Sequence, residues 1–156
     1  MKLLAIDSSI LNSASVSHHL TKNFINQWQA SYPNSEIVYR DLHEQPINHL
    51  SQKILVAATQ NQSELSNEIQ LELHISHQVM AEFLSADILV LGVPMYNFAI
   101  PSQLKAWIDR IVVAGKTFKY VDGKVKGLSD EKQVYILSSR GGYYQEEPMN
   151  AFDYQE

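Results

Sequence analysis

The chain has 156 residues, 45% of them hydrophobic, with a formal charge of -5 and no cysteine. That size and apolar content suit a single domain over residues 1–156. The acidic balance argues against a surface built to neutralise nucleic-acid phosphates, and the lack of thiols excludes a disulfide scaffold, thiolate metal sites and thiol catalysis. No apolar run approaches the length of a membrane span, and Lys2-Leu-Leu-Ala-Ile6 is too short for a signal-peptide core, so a soluble cytoplasmic protein that does not engage membranes is expected.

In chain order, Leu3-Leu-Ala-Ile6 is a short apolar run ending at Asp7-Ser-Ser9, which predicts a buried strand that stops at a loop. From Ser17 to Trp28, Leu20, Phe24, Ile25 and Trp28 recur at the spacing of one helical face, and Tyr32-Pro33-Asn34 closes that helix. Glu36 to Leu42 has strand propensity, whereas Gln45 to Asn61 shows no clear period. Ile69, Leu73, Met80 and Phe83 mark one face of a long helix before the most apolar run, Ile88 to Val93. Pro101 suits the first turn of a further helix reaching to Gly115, with Leu104, Trp107, Ile108 and Ile111 on its buried face. Phe118-Lys-Tyr120 with Asp122-Gly123 predicts a short hairpin, and Val134 to Leu137 another buried strand. Strands alternating with helices predict βαβ units, a mostly parallel sheet and right-handed crossovers.

In such a sheet the ligand crevice lies beyond the carboxyl ends of the strands. Three loops are expected there: Asp7 to Ser17, Pro94 to Ile100 and Ser138 to Tyr144. The first runs into a helix, so Ser15, Ser17 and the free N-terminal amides suit a phosphate, although capping alone also accounts for these serines. Met95 to Phe98 supplies amides and two rings for a planar heterocycle, against the plainer reading of a turn folded onto the core. Pro94 and Pro101 bracket that tract and are expected to leave Met95 to Phe98 facing the crevice with free amides. Gly141-Gly142 lets backbone approach a flat ligand, or is simply a turn.

Other chemistries fit less well. Gly115-Lys116-Thr117 imitates the end of a P-loop, but the position five residues earlier is Arg110 and a helix precedes it. The first strand-to-helix turn has no glycine for a dinucleotide fingerprint, and no Gly-x-Ser-x-Gly elbow is present. His74 and His77 lack a carboxylate-rich third ligand and read as solvated positions, as do His18 and His19 on the first helix. A module of this α/β class that works through a partner instead of turning over substrate is the alternative to an enzyme.

Asp7-Ser-Ser-Ile-Leu11 with Ser15-Val-Ser17, Pro94-Met-Tyr-Asn-Phe98 with Gln103-Leu-Lys105, and Ser139-Arg-Gly-Gly142 together resemble the FMN-dependent NADH:quinone oxidoreductases known as azoreductases. The resemblance covers essentially the whole chain. It implies a flavodoxin-like α/β fold, a doubly wound parallel sheet of strand order 2-1-3-4-(5), and a homodimer. It implies FMN as cofactor, with Ser9, Ser15, Val16 and Ser17 around the phosphate, Met95, Tyr96, Asn97 and Phe98 along the isoalloxazine, and Ser139, Arg140, Gly141 and Gly142 closing its other side. NADH or NADPH would be the donor and quinones or azo compounds the acceptors, exchanging in turn over the flavin with no catalytic acid from the protein. Asn97 and Gly142 would donate at the ring edge, and Tyr120 would wall the substrate pocket. Family members continue beyond the paired glycines for a further strand and helix. With this chain stopping at Asp153-Tyr-Gln-Glu156, that fifth strand and last helix are expected to be missing, leaving Val134 to Leu137 as a sheet edge.

Overall fold

Short apolar runs that end in polar loops pair as the parallel strands β1 (Lys2–Asp7), β2 (Glu36–Asp41), β3 (Ile88–Pro94) and β6 (Gln133–Ser139), while β4 (Phe118–Val121) and β5 (Lys124–Gly127) form a separate hairpin. The computed structural model describes residues 1–59, 65–129, 131–144 and 149–155. Order in the sheet is β2-β1-β3-β6, the expected 2-1-3-4 once the hairpin is left out of the numbering. The register pairs Asp7 with both Asp41 and Gly92, and Pro94 with Ser139, so the strands finish along one edge. Among the described residues β6 is itself an edge strand, with Val134 and Ile136 exposed. The hairpin turns through Asp122 and Gly123 at φ 51° and 74°, the left-handed pair that matches strand twist.

Helices α1 (Val16–Ser31), α2 (Gln52–Ala57), α3 (Asn67–Ser85) and α4 (Ser102–Ile111) cover the sheet and its crossovers. Serine caps start three of them: Ser15, Ser51 and Ser66 accept from the backbone N–H groups of His18, Ile54 and Ile69. One face of the sheet packs Leu4, Ile6, Leu89 and Val93 against Phe83, Leu104, Trp107 and Ile111 of α3 and α4. The other packs Leu3, Ala5, Ile88 and Val90 against Phe24, Ile25 and Trp28 of α1.

Several expectations change. Leu20 does not belong to the buried face of α1; it is largely exposed, and Ser17 and Thr21 are buried in its stead. The reason is that this end of α1 lies over Asp7, where the sheet surface turns from apolar to polar. The stretch from Gln45, which shows no clear period, contains α2, a six-residue helix too short to display one. Its continuation beyond Thr59 lies outside the described residues. Helix α4 ends at Ile111, short of Gly115, where the chain leaves for the hairpin.

Buried charge ties the crossover to the helices. The Arg110 guanidinium, 2% exposed, pairs with the Glu72 carboxylate and donates to Ser76 Oγ at 2.6 Å and to the Asn48 carbonyl at 2.9 Å. Arg40 makes a two-pronged bond to Glu82 at 2.8 and 2.6 Å, clamping β2 to α3. Arg110→Ala leaves the Glu72 carboxylate buried without its partner and is expected to cost about 3–5 kcal/mol in urea unfolding. Gly92 is required by its neighbours: a Cβ there would lie 2.2 Å from Asp7 Oδ1 and 2.6 Å from Thr21 Oγ1. Gly92→Ala should therefore destabilise by about 1–3 kcal/mol by the same measurement, and an unchanged midpoint would show that the site can relax.

Candidate cofactor site

Because β1, β3 and β6 finish together, the loops that follow them meet. Ser8 N–H and Oγ both donate to the Gly92 carbonyl, at 3.3 and 2.7 Å. Ser9 Oγ lies 3.0 Å from the Tyr96 hydroxyl, which also accepts from the Ile10 N–H at 3.3 Å. Met95 N–H donates to the Ser139 carbonyl at 2.8 Å. The ring of Tyr144, two residues past Gly142, meets Phe98 edge to face at 5.8 Å. The serine, aromatic and glycine loops thus form one connected rim.

The aromatic loop is a two-residue reversal. Tyr96 and Ala99 exchange both backbone bonds at 3.0 Å, and Asn97 and Phe98 sit at φ 48° and 64°. This corrects the expectation of free amides from Met95 to Phe98, since Met95 and Tyr96 N–H groups are spent on Ser139 and Ala99. The Asn97 N–H has no acceptor among the described residues. Beside the reversal runs a concave groove of ≈ 740 Å³ whose walls include Ile10, Met95, Asn97 and Gln103.

At the serine loop, Ser9, Ser15 and Ser17 are buried, while the Val16 side chain is 61% exposed and has only its backbone to offer. Ser15 Oγ and Ser17 Oγ lie 3.0 Å apart, so a single hydroxyl proton joins them and the other is left over. Among the described residues the Val16 and Ser17 N–H groups have no acceptor, and the first turn of α1 carries no acidic residue. Spare N–H groups, a spare hydroxyl and the positive end of a helix suit a phosphate, and the neighbouring groove suits a ring, so the residues present fit FMN.

The glycine loop is held from an unforeseen direction. Arg140 pairs with Asp153 at 2.5 Å and, through Nε, donates to Gln155 Oε1 at 3.1 Å. Gln155 Nε2 donates to the Val93 carbonyl at 2.7 Å, and the Tyr154 N–H to the Phe98 carbonyl at 2.8 Å. Asp153 to Gln155 thereby lace the aromatic and glycine loops together. No local pattern announces this, because a lone acidic residue and glutamine show no partner until the chain is folded. Gly141 meets nothing within 4 Å of a notional Cβ, leaving open space beside its backbone.

One further placement differs from expectation. His18 is not a surface residue: its side chain is 14% exposed, with Nε2 3.8 Å from Asp41 Oδ2, while His19 is exposed. Tyr120 is 68% exposed on the hairpin, its ring against Phe118 at 5.7 Å. That hairpin joins the end of α4 to the start of β6, at the sheet edge opposite the three loops. Beneath the serine loop, burial pushes the Asp7 carboxyl above its usual range, offset in part by the Tyr39 hydroxyl that donates to it at 2.8 Å. Burial and that same carboxylate raise the Tyr39 phenol, which stays protonated.

A family model described as flavodoxin-like fold matches residues 1–156. A protein from Legionella pneumophila named FMN-dependent NADH:quinone oxidoreductase is 64% identical across 100% of this chain, which spans 76% of that relative. One of the same name from Methylocella silvestris is 50% identical, with 100% of this chain and 77% of that one covered. Among solved structures, an FMN-dependent NADH-azoreductase from Bacillus anthracis in complex with FMN superposes with a TM-score of 0.87 at 27% identity, covering 99% of this chain and 77% of that one. With its three loops joined at one sheet edge and its whole length matched, the chain belongs to the FMN-dependent NADH:quinone oxidoreductases of flavodoxin-like fold.

Proposed function

We propose that the chain is an FMN-dependent NAD(P)H oxidoreductase that reduces quinones and azo compounds by alternate exchange of donor and acceptor, as a cytoplasmic homodimer. The observation that carries this reading is the rim itself, in which Ser9 Oγ meets the Tyr96 hydroxyl at 3.0 Å and the Met95 N–H meets the Ser139 carbonyl at 2.8 Å. FMN, when bound, supplies the two-electron chemistry between nicotinamide and acceptor.

The chain's own residues have to bind, orient and leave one face open. Ser15, Ser17 and the backbone N–H groups of Val16 and Ser17 hold the phosphate at the head of α1, with Ser9 beside them. Met95 to Phe98 border the ring system along the groove, and Ser139 to Gly142 close the far side, where the open space at Gly141 admits close backbone contact. Asn97 brings a backbone N–H without an acceptor among the described residues and an exposed side-chain amide, both suited to a ring edge on which negative charge develops. Tyr120, remote from these loops within one copy, would wall the acceptor pocket of the second copy.

The purified protein should take up FMN, bleach when NADH is added without oxygen, and recolour on addition of a quinone. Flavin that is bound but inert to nicotinamide would point to an electron carrier, and a folded protein that takes up no FMN would end the reading. Asn97→Ala should weaken FMN binding or slow its reduction by roughly tenfold, the size of one hydrogen bond to a charged group. Unchanged affinity and turnover would remove Asn97 from the site.

A further inference from the structure

Outside the three loops, one side chain bonds to two of the strand ends that feed them. Gln155, half-buried, donates through Nε2 to the Val93 carbonyl at 2.7 Å, and its Oε1 accepts from Ser138 Oγ and Arg140 Nε, each at 3.1 Å. The two ends of the amide cannot be exchanged, because a carbonyl only accepts and a guanidinium only donates. Val93 is the residue before Pro94 and the aromatic loop, whereas Ser138 and Arg140 lead into Gly141 and Gly142. The side chain is therefore a strut between the two loops. Its own backbone N–H is held by Asp153 Oδ1 at 3.0 Å, and the same carboxylate pairs through Oδ2 with Arg140 at 2.5 Å. Next to it, the Tyr154 N–H donates to the Phe98 carbonyl at 2.8 Å, and Tyr154 pairs with Ala99 as a parallel bridge. Both ends of the strut are thus anchored.

We propose that Gln155 is a positioning residue for the cofactor's ring, setting how far the aromatic loop stands from the glycine loop. The proposal rests on the flavin reading above, in which Met95 to Phe98 and Ser139 to Gly142 border two sides of one planar ring. A slot between two loops fits a flat ring at one width, and the Met95 N–H to Ser139 carbonyl bond at 2.8 Å joins the loops at a single point. One joint leaves them free to splay. Gln155 adds a second connection, from the residue before the aromatic loop to the arginine before the paired glycines, and two connections fix an angle as well as a distance. The chemistry at this position is demanding. Met keeps the length and loses both ends, whereas an ionised Glu still accepts from Arg140 and Ser138 but offers the Val93 carbonyl no donor. Loss of the strut would misplace the ring and leave Ser15 to Ser17 untouched, because that turn follows β1, on the other side of β3 from β6.

Wild type, Gln155→Met and Gln155→Glu are compared as apoproteins titrated with FMN and with riboflavin, by quenching of flavin fluorescence. In Gln155→Met both flavins should bind roughly tenfold more weakly, the scale of one hydrogen bond to a charged group. The ratio of the two affinities should keep its wild-type value, since the phosphate seat is intact. Visible circular dichroism of the bound flavin, which reads the surroundings of the ring, should change in band shape. Gln155→Glu should hold the wild-type urea midpoint through Arg140, yet lose as much flavin affinity as Gln155→Met, because it grips one loop only. If Gln155→Met does not fold, the comparison of Gln155→Glu with wild type decides alone. Wild-type affinity in a folded variant, a loss confined to FMN, or unfolding of both variants overturns the proposal while FMN binding by wild type stands. Folded wild type that takes up neither flavin defeats the flavin reading, and the proposal with it.

Discussion

The functional geometry depends on strands β1, β3 and β6 ending level. A loop can contribute to a site only if its neighbours start from the same edge, and the parallel register that pairs Asp7 with Gly92 and Pro94 with Ser139 fixes this before any loop residue is chosen. Gly92 is the close contact in that arrangement. Lacking a side chain, it lets Asp7 and Thr21 fill the space between β3 and α1, which draws the head of α1 onto the sheet. Ser15 and Ser17 then sit buried within the first turns of that helix. Loop contacts such as Ser9 to Tyr96 refine a convergence that the strand pairing has already imposed.

The residues at the rim hold unusual backbone conformations, and the surrounding bonds explain how they persist. Asn97 tolerates the left-handed region, but Phe98 at φ 64° is a bulky residue there, a conformation that costs on the order of 1–3 kcal/mol. The reversal is closed by the paired Tyr96 and Ala99 bonds, and the Phe98 carbonyl accepts from Tyr154 at 2.8 Å. The Phe98 ring is also set edge to face with Tyr144. Several independent contacts thus determine one reversal, which presents Asn97 to the groove. The flanking prolines assist by disfavouring helix on one side and starting it on the other, yet the shape is set by the two left-handed residues between them.

Most of the architecture could be read from the chain because it rests on local pattern. Ile88 to Val93 could hardly be other than a buried strand, and Leu104, Trp107 and Ile111 mark the face of α4 at regular spacing. The three loops at one edge follow from the alternation of strands and helices. What escaped notice depends on contacts between distant residues. Arg110 and Glu72 form a buried pair across 38 positions, and nothing in either neighbourhood signals it. His18 reads as a surface residue on a helical wheel and is instead drawn toward Asp41 at the end of β2. The amides of Met95 and Tyr96 read as available in the sequence because the partners that use them, Ser139 and Ala99, are not marked by composition.

Leu20 and Thr21 show how site and core are graded into each other along a single helix. A helix that covers a uniformly apolar sheet would bury its leucines throughout, and α1 does bury Phe24, Ile25 and Trp28 against Ile88 and Val90. Toward its first turn the sheet beneath ends at Asp7, whose carboxyl group accepts from Tyr39 of β2, and apolar contact from the helix would press hydrocarbon against that buried polar group. Ser17 and Thr21 face inward at that point, and Leu20 is turned to solvent. The exposed leucine is the consequence of keeping a hydroxyl-lined seam between the last residue of β1 and the helix head. The same seam runs up to the turn proposed to hold a phosphate, and the break in helical periodicity near residue 20 marks where apolar packing gives way to polar contact.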